Sequence, residues 1–246
     1  MNNLIIDINA DVGEGIGNEA ELLPLVSSCN IACGGHAGDD QTMHEVIKLA
    51  KINGVKIGAH PSFPDRENFG RKPMDISCAA LFKSLEDQTI QLIKHLDDLN
   101  ASLHHIKPHG ALYNLAAKEE KTAMVIVELM KSFAFPIYLY VPFGSVISKM
   151  AIKNNIPIIY EAFADRNYNN DLSLVSRDLS GAVILDSEAI FQHVYGIIKN
   201  KRVKTIDGKQ ISLQAHTFCV HGDNPEAIKL LIGLRKKLDE LGIQVL

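Results

Sequence analysis

Short apolar runs alternate with stretches of helical periodicity along the whole chain. Residues 4–10 alternate weakly between apolar and polar side chains, which predicts a first strand. Residues 27–33 predict a second strand, and apolar positions at helical spacing follow it at Met43, Val46, Ile47 and Ala50. Asp39 or Asp40 is predicted to cap this helix, and Gly54 to end it. The same order of strand and helix recurs towards the carboxyl end.

The later elements repeat this pattern. Further strands are predicted over residues 55–59, 137–141, 157–162 and 214–220, with one more ending near Lys107. Helices are predicted from Asp75, over residues 118–132, after Gly144, and from Asn224 as N-cap through Pro225 to Leu241. A further strand and helix share residues 182–199, and Asp207-Gly208 predicts a hairpin turn. About seven or eight repeats predict one domain, residues 1–246, built as a closed or nearly closed α/β barrel.

Composition narrows the class of protein. The formal net charge is -4 with acidic and basic residues interspersed, which argues against nucleic-acid and membrane-surface partners. No run is apolar and long enough to span a membrane, and no basic leader precedes the first strand. We therefore expect a cytoplasmic protein with a small-molecule substrate. Cys29 and Cys33 are interpreted as buried reduced thiols rather than zinc ligands, because no second pair of cysteines accompanies them.

Polar residues collect at the carboxyl ends of the predicted strands. Lys107 and His109 stand on either side of Pro108 at the end of one apolar run, and Gly110 permits a turn directly afterwards. Because barrel enzymes gather their active sites at strand carboxyl ends, we expect these polar residues to form one site. The residues concerned are Asn9, Asp11, His36, His60, Lys107, His109, Glu161, Asp165, His221 and Asp223, with Asp65, Arg71 and Arg166 in adjoining loops.

Imidazoles, carboxylates and a lysine gathered in this way support proton transfer and the stabilisation of negative charge. The sequence has no Gly-x-Ser-x-Gly elbow, so water is the expected nucleophile. Gly13, Gly15 and Gly17 predict an active-site loop, since the third glycine of a dinucleotide fingerprint and the Gly-Lys-Ser/Thr of a P-loop are both missing. The same imidazoles and carboxylates leave open a divalent metal that activates the water.

Six motifs, taken in chain order, resemble the LamB/YcsF lactam-utilisation family. The motifs are DINADVGE at residues 7–14, NIACGGHAGD at 30–39, GAHPSFPD at 58–65, KPHGALYN at 107–114, FADRNY at 163–168 and CVHGD at 219–223. They extend from the first predicted strand to the start of the last predicted helix, so the resemblance covers the chain.

The resemblance implies a distorted seven-stranded (β/α) TIM-like barrel of the glycoside hydrolase/polysaccharide deacetylase type. It also implies ATP-dependent hydrolytic opening of 5-oxo-L-proline to L-glutamate, together with 5-oxoprolinase subunits B and C. A five-membered lactam resists hydrolysis, so ATP is needed to activate its carbonyl, yet this chain has no P-loop or kinase signature. We therefore expect the partner subunits to supply much of the activation, while this chain supplies acid, base and oxyanion-stabilising groups. Homo-oligomerisation is left open.

The candidate residues divide into two groups. Catalytic roles are expected for Asp11, His60, Lys107, His109 and Glu161. Substrate binding is expected for Asn9, His36, Asp65, Arg71, Asp165, Arg166, His221 and Asp223. Deacetylase kinship raises a metal, but those enzymes carry a His-x-x-x-His pair, and here Pro64 stands four residues after His60. Asp11, His60 and His109 are therefore expected to act mainly as acid, base and substrate ligands, with metal binding left open.

Two rival functions are also consistent with the sequence. The first is a stand-alone, metal-dependent, deacetylase-like amidohydrolase acting on a small amide or sugar, which rests on fold kinship only. The second is a regulatory or scaffolding subunit that binds 5-oxoproline or its partners without catalysis. Replacement of His109 by Ala separates the scaffold from both enzymes, and a chelator separates the metal-dependent enzyme from the other two.

Overall fold

The computed structural model describes residues 4–222 and 226–246. Its strands are β1 (Ile5–Val12), β2 (Ser28–Ala32), β3 (Lys56–His60), β4 (Leu103–Ile106), β5 (Tyr138–Pro142), β6 (Ile158–Phe163), β7 (Arg202–Lys204), β8 (Gln210–Ser212), β9 (Thr217–Val220) and β10 (Gln244–Val245). Strands β1 to β6 pair in parallel in chain order, and β9 pairs with both β6 and β1. These seven strands therefore close a parallel barrel, which confirms the expected architecture.

Helices follow most of these strands on the outside of the barrel. They are α1 (Glu19–Leu22), α2 (Asp40–Ile52), α3 (Cys78–Asp98), α4 (Gly110–Ala116), α5 (Glu120–Ser132), α6 (Val146–Lys153), α7 (Ser187–Asn200) and α8 (Ala227–Glu240). The longer ones present one apolar face to the barrel, as in α2, where Met43, Val46, Ile47 and Ala50 are buried. This face is the one that the helical spacing of the sequence predicts.

Strand β9 closes the barrel and fixes its register. Thr217 lies opposite Glu161 of β6 on one side and opposite Asp7 of β1 on the other. The Thr217 hydroxyl donates to Asp7 Oδ1 at 2.5 Å and accepts from Asn9 Nδ2 at 2.8 Å. Because a register slip of one residue turns every side chain to the opposite face, these interior hydrogen bonds specify how the two ends of the sheet meet.

Several element boundaries differ from the sequence predictions. Helix α3 begins at Cys78 rather than at Asp75, because the Ser77 hydroxyl accepts a hydrogen bond from the Ala80 N–H and caps the helix. Residues 182–186 form no strand; a single bridge between Arg166 and Val183 takes its place. Strand β10 was not predicted. The predicted cap at Asn224 and Pro225 lies outside the described residues.

A buried histidine occupies the interior of the barrel beside a glycine. His105 of β4 contacts Asn30 Oδ1 through Nε2 at 2.7 Å, and its ring stacks on Tyr140 with centroids 3.8 Å apart. Gly58 of β3 lies next to this ring, and a Cβ atom there would come within 2.1 Å of His105 Nε2. The imidazole therefore fills space that any side chain at position 58 would need.

We expect Gly58→Ala to destabilise the protein by about 1–3 kcal/mol or more, because the added methyl group overpacks the His105 site. Gly196→Ala is the matched control, since a Cβ on this helical glycine meets its nearest atom, the Arg202 carbonyl oxygen, at 3.9 Å. This control should stabilise the protein by about 0.4–1 kcal/mol. Urea unfolding of both variants measures the difference, and a Gly58→Ala variant as stable as the parent would contradict the packing described.

Candidate active site

A cavity of about 630 Å³ opens at the carboxyl ends of the barrel strands. Asp11, Lys107 and His221 line it, and each lies at the end of a strand or just beyond one. Residues 173–179 form another part of its wall. The structure brings most of the predicted site residues into two adjoining clusters at this end of the barrel.

The first cluster surrounds the ammonium group of Lys107, which is buried just past the end of β4. Lys107 Nζ lies 2.9 Å from Asp11 Oδ1, 3.0 Å from Glu161 Oε1 and 3.0 Å from Cys219 Sγ. Asn9 Oδ1 lies further away at 3.4 Å. Two carboxylates therefore share one buried cation. We name the lysine cluster by its members: Lys107, Asp11, Glu161, Asn9 and Asn30.

Asn9 and Asn30 hold the carboxylates of this cluster in place. Asn9 donates from Nδ2 to Glu161 Oε1 at 3.0 Å, and Asn30 donates from Nδ2 to Asp11 Oδ1 at 2.8 Å. Asn30 Nδ2 also lies 2.8 Å from Asn9 Oδ1, so the two amides are linked. Asn9, which is fully buried, orients the carboxylates from below the cavity. Asn30 was not among the predicted site residues.

The charges of the lysine cluster shift its pKa values in opposite directions. Burial opposes ionisation of Asp11, but His60 and Lys107 outweigh it and hold the pKa of Asp11 well below its usual value. Burial also opposes the charged form of Lys107, and here the anionic partners, Asp11 first, raise its pKa well above the usual value. Asp11 therefore remains ionised and Lys107 remains protonated at neutral pH.

Tyr113 extends this cluster towards α4. Burial and the nearby Glu161 carboxylate raise the pKa of Tyr113 well above its usual value, so its hydroxyl stays protonated. Neither this hydroxyl nor Glu161 Oε2 makes a hydrogen bond of ordinary geometry, although both atoms are buried. Tyr113 also lines the cavity. The two groups therefore retain polar capacity beside the cavity.

The second cluster consists of Glu14, His36, His60 and His109, and we name it the histidine cluster. One ligand-type atom from each of these residues lies within 4.8 Å of those from the others. His109 Nδ1 lies 3.0 Å from His60 Nε2, and His36 Nε2 lies 2.9 Å from Glu14 Oε1. Glu14, in the loop after β1, was not predicted. Asp11 joins the two clusters, because its Oδ2 lies 3.4 Å from His60 Nε2.

The rings of the histidine cluster are buried and closely packed. His36 stacks on His109 with centroids 3.6 Å apart and an interplanar angle of 1°. Burial, aided by His60, lowers the pKa of His36 to about 2, and burial with the neighbouring imidazoles also holds the pKa of His109 well below its usual value. Both rings are therefore neutral at neutral pH. Pro64 does follow His60 at the fourth position, yet His109 from the next strand brings a second imidazole to His60.

A loop preceding α3 covers these imidazoles. The Phe69 carbonyl oxygen lies 2.9 Å from His109 Nε2, and the Phe69 ring makes edge contacts with His36 and His109. Phe69 adopts a positive φ of 54°, a strained conformation for a residue with a side chain. Gly70 follows, and a Cβ there would come within 3.0 Å of His109. The loop therefore approaches closely enough to fix the His109 ring from above.

Asp165 and His221 form a pair beside the lysine cluster, since the Phe163 ring contacts both His221 and the Lys107 ammonium. His221 Nδ1 lies 3.0 and 3.1 Å from the two Asp165 oxygens, and the His221 ring stacks on Phe163. Burial opposes ionisation of Asp165, but His221 outweighs it and lowers the pKa of Asp165. Because Nδ1 is held by the carboxylate and His221 lines the cavity, we expect Nε2 to be the His221 nitrogen that meets a bound substrate. This arrangement is typical of an oriented acid or base.

Basic side chains stand around the cavity mouth. Arg71, Lys118, Arg166 and Arg177 all line it. The Arg71 guanidinium lies over the Phe69 ring, 4.7 Å from its centroid. Arg166 donates from Nη2 to the Val175 carbonyl at 2.6 Å and from Nε to the Ala182 carbonyl at 3.3 Å, so it also holds the wall of the cavity.

Two further predicted residues stand apart from the cavity lining described. Asp65 accepts hydrogen bonds from the backbone and side-chain nitrogens of Asn68, at 3.1 and 3.0 Å, so it shapes the loop that carries Phe69. Asp223 lies outside the described residues. Glu14, Asn30 and Phe69 were missed because each is recruited by contacts between distant segments. The nearest sequence signal was a neighbouring glycine: Gly13 and Gly15 flank Glu14, and Gly70 follows Phe69.

Comparisons with known proteins agree on one family. The model of the LamB/YcsF family matches residues 6–246. The 5-oxoprolinase A-subunit of Pyrococcus abyssi is 38% identical over 245 residues, covering 98% of this chain and 96% of the relative. The 5-oxoprolinase A-subunit of Haemophilus influenzae strain PittEE is 40% identical over 240 residues, covering 98% of each.

A solved structure matches the whole fold. The lactam utilization protein from Thermus thermophilus superposes with a TM-score of 0.92 at 35% sequence identity, covering 98% of this chain and 99% of that one. Within residues 4–222 and 226–246, no helix has both the length and the apolar character needed to cross a membrane.

We expect Lys107→Met to destabilise the protein by about 3–5 kcal/mol, because it leaves two buried carboxylates without their cation. The double variant Lys107→Met/Glu161→Gln should recover part of that loss, since it removes one of the two charges. Lys83→Met is the control, because Lys83 pairs with Asp87 on the exposed face of α3 and its loss should leave stability unchanged. Chemical unfolding gives all three values, and equal stability of Lys107→Met and parent would refute the ion cluster.

Proposed function

The chain belongs to the LamB/YcsF family, and from this premise we propose that it is the A-subunit of a 5-oxoprolinase. In this proposal it acts with subunits B and C in the ATP-dependent hydrolysis of 5-oxo-L-proline to L-glutamate. The names of its relatives support the assignment. The observation that carries the chemistry is the meeting, in one cavity, of the His60–His109 pair with an oriented Asp165–His221 pair.

Opening a lactam requires two proton movements. Water loses a proton as it attacks the carbonyl carbon, and the ring nitrogen gains one as the C–N bond breaks. We assign the first to the His60–His109 pair, because the two rings line the cavity with nitrogens 3.0 Å apart, so a proton taken from water can be shared between them. We assign the second to His221, whose Nε2 is expected to meet the substrate and whose Nδ1 is held by Asp165. His221 would then act as an acid in addition to contacting substrate.

The lysine cluster has a different role in this scheme. A carboxylate with a strongly lowered pKa is a poor base, so Asp11 orients the His60 imidazole or the attacking water without taking the proton. Lys107 keeps Asp11 ionised and offsets the negative charge of the carboxylates at the floor of the cavity, where further negative charge develops on the carbonyl oxygen. Glu161 shares that ammonium and limits its net charge.

The cavity mouth suits an anionic substrate. Arg71, Lys118 and Arg177 would attract the carboxylate of 5-oxo-L-proline and any phosphoryl group that ATP adds to its carbonyl. ATP is a co-substrate in this proposal, and we assign its handling chiefly to subunits B and C, because the sequence carries no P-loop or kinase signature. This chain would receive the activated lactam and complete its hydrolysis.

The first test measures glutamate release from 5-oxo-L-proline and ATP, using this chain with subunits B and C of the same organism. Release should require all three proteins and ATP, and each component is omitted in turn. Release without this chain would remove it from the reaction. Turnover of 5-oxo-L-proline by this chain and ATP alone would refute the proposed division of labour.

A second test addresses the proton donor. His221→Gln should lower kcat of the complete complex by about 10²–10⁴-fold, the usual contribution of a positioned acid or base. Asp165→Asn should lower kcat less and shift the pH profile, because it leaves His221 in place without its anionic partner. His95→Gln is the control, since His95 lies on α3 and pairs with Asp40. Full activity of His221→Gln would show that another group protonates the nitrogen.

A further inference from the structure

We propose that His60, His109 and Glu14 bind one divalent transition-metal ion, with His36 as a positioning residue that holds Glu14. The proposal rests on the orientation of these groups and does not depend on the lactam reaction. It assigns a specific ligand atom to each of the three residues: His60 Nε2, His109 Nδ1 and Glu14 Oε1.

Backbone carbonyls determine which imidazole nitrogens are free. His60 Nδ1 lies 2.7 Å from the Lys107 carbonyl oxygen, and His109 Nε2 lies 2.9 Å from the Phe69 carbonyl oxygen. A carbonyl oxygen only accepts hydrogen bonds, so each of these nitrogens must carry the ring proton. When each ring carries this one proton, the opposite nitrogens, His60 Nε2 and His109 Nδ1, are left with lone pairs.

These two lone-pair nitrogens face each other, and a carboxylate joins them. His60 Nε2 and His109 Nδ1 are 3.0 Å apart, and Glu14 Oε1 lies 3.5 Å from His109 Nδ1 and 4.0 Å from His60 Nε2. Three acceptors cannot hydrogen-bond to one another. The close approach of the two nitrogens indicates a positive species between them, either a proton shared by the imidazoles or a metal ion.

The spacing fits a metal ion. Zinc-type bonds of about 2.1 Å in a tetrahedral site place neighbouring ligand atoms about 3.4 Å apart. The three observed separations of 3.0, 3.5 and 4.0 Å bracket that value. Asp11 Oδ2 lies 3.4 Å from His60 Nε2 on another side. Glu14, His60 and His109 also line the cavity, so a position for water or substrate remains.

The surrounding contacts are those that orient metal ligands. Imidazole ligands in metal sites usually donate their second N–H to a carbonyl or carboxylate, as both imidazoles do here. His36 donates from Nε2 to Glu14 Oε1 at 2.9 Å. Because the His36 ring lies parallel to the His109 ring, their nitrogens do not converge on one point, so we assign His36 to the support of Glu14.

The donor set indicates the class of metal. Two imidazole nitrogens and one carboxylate oxygen suit Zn²⁺, Co²⁺ and related first-row ions, whereas Mg²⁺ and Ca²⁺ prefer all-oxygen sites. When bound, such an ion would occupy the His60 and His109 lone pairs, and it would replace their role as a base by lowering the pKa of a coordinated water.

The test titrates Zn²⁺ or Co²⁺ into chelator-treated protein by calorimetry, and records the visible spectrum of the Co²⁺ form. The parent should bind one ion per chain, and its Co²⁺ spectrum should be that of a four-coordinate site. His109→Ala and the near-isosteric Glu14→Gln should each lose more than about 100-fold in affinity. His95→Gln, which leaves the cluster intact, should bind as the parent does.

The positioning role of His36 has its own readout. His36→Ala should retain one ion per chain with affinity reduced by about 10–100-fold, the usual effect of losing a group that orients a ligand. Unchanged affinity would overturn this role.

Other results would overturn the metal site itself. If the parent binds no stoichiometric ion, or if His109→Ala and Glu14→Gln bind as the parent does, a shared proton accounts for the cluster. Circular dichroism of each apo variant shows whether its fold is retained. Glu14→Gln guards against misfolding, because it removes charge with little change of volume. The titration needs neither substrate nor subunits B and C, so its outcome is separate from that of the lactam assay.

Discussion

The buried ammonium of Lys107 is the constraint around which the barrel is organised. Burying three ionised groups costs several kcal/mol for each, and the cost is offset only when the charges pair and their remaining hydrogen-bonding capacity is used. Asp11, Glu161 and the two asparagines meet that condition from three other strands. The polar interior is therefore a single network, and each strand that contributes to it is fixed in register by what the neighbouring strands provide.

Asp11 joins this network to the imidazoles. One carboxylate oxygen contacts Lys107, and the other faces His60. A change of charge among the histidines therefore alters the electrostatic potential at the lysine cluster through one side chain, Asp11. The same carboxylate that stabilises the barrel also sets the electrostatic potential of the reacting groups, so stability and chemistry are difficult to alter independently at this residue.

The sequence predicted the barrel and the polar strand ends because both depend on local pattern. Period-two alternation placed Asn9 and Asp11 on one face, and the strand-end rule placed Lys107, His109 and His221 at one end of the barrel. It did not predict Asn30, which reaches Asp11 through the pairing of β2 with β1, or Glu14, which reaches the histidines from the loop after β1. The sequence predicts the start of α3 at Asp75, because aspartate is a good N-cap, whereas in the structure Ser77 makes the capping hydrogen bond.

Lys107 contributes to both clusters through different parts of one residue. Its ammonium pairs with Asp11 and Glu161, while its carbonyl oxygen accepts a hydrogen bond from His60 Nδ1–H and so decides which His60 nitrogen is free. Side-chain substitution removes the first contribution and leaves the second. An alanine scan would thus test only the contribution of the ammonium group. The contribution of the carbonyl oxygen requires a change of the main chain, such as an amide-to-ester replacement that weakens this acceptor.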